Sequence, residues 1–307
     1  MKRMLFLPCI VAIAHCVFGM EEGMEQVSLQ PSQEIYNNLK TTFQFFGQHA
    51  TRVALVEDNT FFGIDTGLSA SKFNYVLFKE DQKKFAQSYI DEFKQCSLFV
   101  PACYTELSAY FKREYPWTLQ RLALSVLQMP VENCTALEQT ETKVVQVMGK
   151  GAQFEDFKMI YTHADMQSKE DAQKYMNKFE AESFFESDCP IRLYVVYNTN
   201  QQPVSCGVLT HQPGEQYAGI YSVTTHPNER KKGYAKALVQ SLAHIAAKEQ
   251  AHYITLHTVK GYLVEAMKKN GFQEMEPVEI FINRWHFVKT VTGLVANGVY
   301  NKLKNLG

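Results

Sequence analysis

Apolar positions recur along this chain with two periods, and the points where the period changes outline its elements. Met4 to Phe18 form an apolar run without a polar face, preceded by Lys2 and Arg3 and followed by Gly19. This is the pattern of a secretory signal, so residues 1–19 are expected to act as one and 20–32, rich in Met, Glu and Gln, as a flexible leader. No other stretch reaches the roughly 18 uninterrupted apolar residues of a spanning helix. Stable membrane association of the mature chain is therefore not expected.

A first α/β unit is expected over residues 33–138. "TRVALVEDNTFFGIDTG" predicts two short strands about an Asp58-Asn59 turn, and "KFNYVLF" a third. Phe85, Ala86, Tyr89, Ile90 and Phe93 then fall at helical spacing. Helical period is also read over "YTELSAYFKREY" (Leu107, Tyr110, Phe111) and over "WTLQRLALSVLQM" (Leu119, Leu122, Leu127). Nothing in this half combines a nucleophile with a base at a recognisable spacing.

A second unit is expected over 139–286. "KVVQVMG" predicts a strand, and two helical stretches run from Phe154 to about Phe185. "IRLYVVYN" and "PVSCGVLT" flank Thr199-Asn200-Gln201-Gln202 as the strands of an antiparallel hairpin would. "AGIYSVTTHP", "HYITLHTV" and "EIFINRW" predict strands, separated by the helical patterns "GYAKALVQSLAHIAAKEQ" and "YLVEAMKKNGF". The fold class expected is α/β (α+β): a mixed, mostly antiparallel central sheet flanked by helices, with a second α/β domain N-terminal to it. Residues 287–307 form a tail whose helical pattern is weakened by Gly293 and Gly298.

Composition agrees with two folded units: 307 residues, 46% hydrophobic and 21% charged. A formal net charge of -1 gives no general surface for nucleic acid, which is not expected as a partner. Seven cysteines, two of them (Cys9 and Cys16) in the signal, contain no CxxC and no zinc-like Cys/His spacing. Buried thiols are expected, and no metal.

The chemistry gathers in "SVTTHPNERKKGYAKALVQSL", Ser222 to Leu242, where a strand ends at Pro227 and a helix starts near Gly233. Such a junction aims the free N–H groups of the first helical turn at one point, which the helix dipole makes attractive to anions. Gly233 permits unusual torsions and close approach, Ala235 leaves the approach open, and Arg230, Lys231 and Lys232 add charge at the rim. On the turn alone, solvated cations at a strand-to-helix junction remain the plainer alternative.

Arg230-Lys231-Lys232-Gly233-Tyr234-Ala235 resembles the central motif of the Gcn5-related N-acetyltransferases: Arg or Gln, two residues, Gly, any residue, Gly or Ala. "IYSVTTHPNE" before it and "ITLHTVKGYLVEAMKKNGF" after it are similar to that family's fourth strand, fifth strand and following helix. The resemblance implies the acyl-CoA N-acyltransferase fold and acetyl-CoA as co-substrate. Its pyrophosphate would lie on the amides of Lys231, Lys232, Gly233, Tyr234, Ala235 and Lys236, with Arg230 at the rim. Its pantetheine would run beside Val223, Thr224 and Thr225, and the Val223 N–H would be the oxyanion donor. The implied acceptor is an amine, of a small molecule or of a protein. The first half resembles a degenerate, non-catalytic repeat of the same family.

Two departures bear on catalysis. Met267 stands where the family places a Tyr that protonates the departing thiolate, and Lys260 where it places an Asn. Glu215 and His257 are the candidates for the base. The alternative function is a catalytically impaired acyl-CoA-binding or interaction protein that keeps the fold. Because the donor is a cytosolic metabolite, an exported chain is expected to act in a host cytosol; the alternative is a cytoplasmic protein.

Overall fold

A computed structural model describes residues 54–57, 61–65, 75–79, 97–101, 103–116, 119–133, 142–164, 189–258, 261–275 and 277–283, with positions 41, 81 and 185. The expected signal, leader, C-terminal tail and the helix over Phe85 to Phe93 lie outside the described residues, as do Lys260 and the second helical stretch before Phe185.

The first half supplies β1 (Ala54–Glu57), β2 (Phe61–Asp65), β3 (Tyr75–Phe78), β4 (Ser97–Pro101), helix α1 (Thr105–Glu114) and β5 (Leu119–Pro130). The second supplies β6 (Lys143–Gln146), α2 (Ala152–Ala164), β7 (Ile191–Tyr197), β8 (Pro203–Thr210), β9 (Tyr217–Thr225), α3 (Tyr234–Lys248), β10 (Tyr253–Thr258), α4 (Gly261–Lys268), β11 (Gln273–Glu274) and β12 (Val278–Asn283). The strands join in one sheet of order β1-β2-β3-β4-β12-β5-β10-β9-β8-β7-β6, with β11 beside β5. Among the described strands, only β3–β4 and β9–β10 pair in parallel. Parallel neighbours need a crossover, and α3 is the crossover from β9 to β10. The fold is mixed and mostly antiparallel, flanked by helices, as the pattern predicts.

One expectation is corrected. "WTLQRLALSVLQM" is not helical: its residues from Leu119 onward belong to the 12-residue strand β5. β5 runs antiparallel to β10 over Ser125 to Pro130 and antiparallel to β12 over Leu119 to Leu124. Leu124 and Val126 are buried on one face, and Leu127 and Met129 on the other. A strand apolar on both faces loses its alternation and imitates helical spacing.

β5 also joins the two halves. It lies next to β10 of the second half, while β12 of the second half lies between β4 and β5 of the first. Each half thus lends a strand to the other. Glu279 on β12 is 5% exposed and is held by Ser108, by Lys112 at 3.0 Å and by Arg121. Burial alone would raise its carboxyl; the hydrogen bonds from Ser108 and Lys112 and the Arg121 charge outweigh it and hold the group below the ordinary carboxylate range.

Helix α3 packs its buried stripe (Ala237, Leu238, Leu242, Ala246) over Tyr194, Val196, Leu209, Ala218 and Ile220. α2 covers the opposite face through Phe154, Phe157 and Ile160, over Leu193, Val195, Cys206 and Val208. At the C-terminal end of α3, Glu249 takes both Arg192 nitrogens and, at 3.0 Å, Nδ1 of the fully buried His211. Burial would raise the Glu249 carboxyl, but the bonds from Arg192 and His211 prevail and lower it. This cluster closes one end of the sheet. The turn that follows β9 lies at the other.

Candidate active site

β9 changes partners part-way along. Its parallel pairing with β10 runs from Tyr217↔Tyr253 to Ile220↔Leu256 and stops there. Just beyond, the register against β8 slips: Val208 faces Tyr221, but Cys206 faces Thr224. Gly207 therefore opposes two residues, Ser222 and Val223, and Ser222 takes φ 54, in the left-handed region. The bulge bends β9 and opens a cleft toward β10. Gly207 leaves room for it: a Cβ there would meet Leu238 Cδ2 at 2.9 Å and Val223 Cγ2 at 3.5 Å.

The His226 N–H donates to the Val204 carbonyl at 2.9 Å, which makes 226/204 a hydrogen-bonded pair. Alternation then gives Thr224 to Cys206 of β8, and the Thr224 carbonyl also accepts from Ser205 Oγ at 2.8 Å. Val223 and Thr225 turn their peptide groups the other way, toward the cleft. Of the three strand residues expected to line pantetheine, Val223 offers both peptide groups to the edge, Thr225 its N–H, and Thr224 neither. At the strand end, Arg230 Nε donates to the Thr225 carbonyl at 3.3 Å, tying the turn back to β9.

After a short 3-10 turn, Pro227–Glu229, the backbone takes φ 67 at Lys231 and φ 88 at Gly233, the N-cap of α3. A left-handed residue before a helix curls successive N–H groups inward, a nest for an anion. No side chain caps α3, and its first turn bonds only from the Ala237 N–H to the Gly233 carbonyl at 2.9 Å. The N–H groups of Lys231 to Lys236 thus have no partner among the described residues. Nothing lies within 4 Å of a Cβ built on Gly233, so the ground before the turn is open. Lys232 Nζ pairs with Glu229 at 3.0 Å, while Lys231 and Lys236 are exposed. A pyrophosphate fits this cradle by its donors and by its charge.

His257 stands on β10 one residue past the last pair with β9. Its ring meets that of Tyr221 edge-on, with centroids 5.6 Å apart and planes at 66°. The residue as a whole is half-buried, yet both ring nitrogens are enclosed and neither has a hydrogen-bond partner among the described residues. Burial lowers its pKa to about 4, so the imidazole is neutral with one nitrogen free to accept.

Glu215 is not brought to this place. It lies in the loop between β8 and β9, where its carbonyl faces His211 Nε2 at 3.1 Å, at the Glu249 end of the sheet. Val223 lies eight positions further on, roughly 25 Å of extended chain. Proximity in sequence to β9 is the wrong guide, because the strand carries the loop away from the cleft.

The profile of the acetyltransferase (GNAT) family matches residues 154–272, which span α2, the bulged strand, the turn and α4. Residues 154–272 are thus similar to a GNAT acetyltransferase domain. Solved structures share the fold over a longer stretch. A GCN5-related N-acetyltransferase from Kribbella flavida superposes with TM-score 0.56 at 14% identity, covering 80% of this chain and 94% of that one. A conserved protein of unknown function from Staphylococcus epidermidis gives 0.58 at 12%, covering 78% and 96%. A GCN5-related N-acetyltransferase-like protein from Streptococcus suis gives 0.50 at 11%, covering 89% and 98%. At these identities the likeness is one of fold. No curated protein matches the chain.

Within the matched residues, Met267 lines a cavity of about 20 Å³ between α3 and α4, together with Lys236, Gln240, Asn270 and Phe272. The family's Tyr position therefore faces the helix whose N-terminus forms the cradle. A thioether has no proton to give. Sequence reading missed Gly207, Ser222, Tyr221, Thr255 and Gln128. The strand "YITLHT" did carry a signal, since Thr255 and His257 alternate with Ile254 and Leu256. Gln128 had none, because its segment reads as a helix.

Proposed function

We propose that the protein is an acetyl-CoA-dependent N-acetyltransferase in which His257 takes the proton from the acceptor amine. The observation that carries this reading is the enclosed imidazole, without a partner among the described residues, at the parting of β9 and β10, beside a strand edge that offers the Val223 peptide groups and the Thr225 N–H. Family members use acetyl-CoA, and the cradle at Lys231 to Lys236 suits its pyrophosphate. Val223 would donate its N–H to the thioester carbonyl oxygen as negative charge grows there.

The step is direct transfer. The neutral amine attacks the thioester carbonyl, a C–N bond forms and the C–S bond breaks. His257 accepts the amine proton, which becomes acidic as the nitrogen quaternises. The thiolate leaves and takes a proton from solvent, because Met267 cannot supply one. Met267 also favours a second reading, an acyl-CoA-binding protein that has kept the fold and lost the chemistry. Glu215, held beside His211 at the far end of β9, takes no part in this step. The donor requires a cytosol, so we place the active protein in one, in a host if residues 1–19 direct export; N-terminal sequencing of fractionated cells tests this.

Thioester turnover with a panel of amines tests the function. Free CoA should appear only with an acceptor present, and His257→Gln should lower kcat by at least about 100-fold while acetyl-CoA still raises Tm. Stabilisation by acetyl-CoA without turnover on any amine would select the binding-protein reading. No stabilisation would reject both.

A further inference from the structure

His257 is one of three side chains with enclosed polar atoms left without partners on the same face of the sheet. The others are Gln128, through Oε1, and Thr255, through Oγ1; Thr255 is 0% exposed. Thr255 and Gln128 face each other directly across the β10–β5 ladder, and His257 is two residues along from Thr255. Directly opposed residues of an antiparallel pair share a face, as do residues i and i+2, so the three form one short row. Each such atom costs the fold free energy unless something meets it. Three together, beginning at the cleft, are an arrangement for a ligand.

The chemistry of the row limits what it can take. Gln128 Oε1 only accepts, neutral His257 offers one accepting nitrogen and one N–H donor, and Thr255 can accept and donate. The row holds more acceptors than donors, so its ligand must bring donors. Strands β5, β8, β9 and β10 contain no Asp or Glu, so nothing on them balances a second cation. Tyrosine rings border the row: Tyr221 against His257, and Tyr217 stacked on Tyr253 at 5.0 Å. Such rings cover the C–H faces of a compact body.

We infer that Gln128 and Thr255 recognise the acceptor, and that it is a small amine carrying a hydroxyl next to the reacting nitrogen, of the amino-alcohol or amino-sugar class. The inference rests on the function proposed above. It also assigns a use to the strand exchange: Gln128 comes from the first half, so the acceptor site is complete only when β5 lies beside β10.

The test uses the full chain with two matched acceptors, 2-aminocyclohexanol and cyclohexylamine, and with putrescine and a lysine peptide as competitors. The hydroxylated amine should be preferred roughly 10- to 100-fold in kcat/KM, the range for leaving buried polar groups unmet. Gln128→Leu and Thr255→Val should collapse that preference through KM, leaving the acetyl-CoA Kd and Tm shift unchanged. Ligand-observed NMR gives a reading that does not depend on turnover: 2-aminocyclohexanol should bind wild type and His257→Gln, and lose binding in Gln128→Leu. Binding without turnover would sink the acetyltransfer reading and leave the recognition row standing. A preference for putrescine or the peptide, or discrimination that survives both substitutions, would overturn the row, as would absence of binding to a folded wild-type chain.

Discussion

The Tyr221 ring meets the His257 ring edge-on at 5.6 Å, at the point where β9 leaves β10. The contact seats the imidazole against an aromatic edge instead of a polar partner, and enclosure of both nitrogens lowers its pKa to about 4. The geometry that leaves His257 without a polar partner among the described residues also makes it costly to protonate.

A pH dependence follows. With an unfolded pKa of about 6.5, the unfolded chain binds a proton at His257 before the folded chain does. This contribution to stability is full above about pH 6.5, falls as pH drops toward 4, and is constant below; it amounts to about 3 kcal/mol. Glu249 and Glu279, both lowered, lose their contributions at more acidic pH, below the ordinary carboxylate range. Urea unfolding of wild type and His257→Leu between pH 7 and 4.5 should show the variant lacking the loss. Parallel curves would refute an enclosed imidazole.

The anion cradle is tested at its backbone. Gly233→Ala forces a side chain into φ 88 and should cost about 1 kcal/mol, although nothing crowds the added methyl. Gly233→Asp with Ala235→Glu should abolish acetyl-CoA binding by calorimetry while circular dichroism stays native. Binding retained by that double variant would remove the phosphate from the turn.

Ser222 holds a left-handed conformation at the bulge. Ser222→Gly should be neutral or stabilising by up to about 1 kcal/mol, and Ser222→Val destabilising by 1 to 2, roughly. Thermal melts decide it. If valine is tolerated as well as glycine, the bulge is not where the register places it.

Glu249 joins Arg192 to the buried His211. Glu249→Gln should cost roughly 2 to 3 kcal/mol by leaving a half-enclosed guanidinium without its charge partner. Its effect on acetyl-CoA affinity should be small, because 15-residue α3 separates it from the cradle by about 22 Å. Loss of affinity equal to the loss of stability would contradict that separation.

The alternating and helical periods by themselves determined most elements of the second half, and the turn Arg230 to Ala235 marked the candidate anion cradle, because capping, left-handed glycine and strand alternation are local properties of a few neighbouring residues. They could not determine which strands lie together. β5 was illegible because burial on both faces erases the period that distinguishes a strand from a helix. Glu215 and His257 stood equal on paper, and only the path of β9 separated them, carrying one to the far end and leaving the other where the strands part. Gln128 had no local mark, since its neighbourhood with Thr255 is made by pairing residues more than a hundred positions apart. Local chemistry is written in sequence, whereas the meeting of distant strands is set by the packing of the whole sheet.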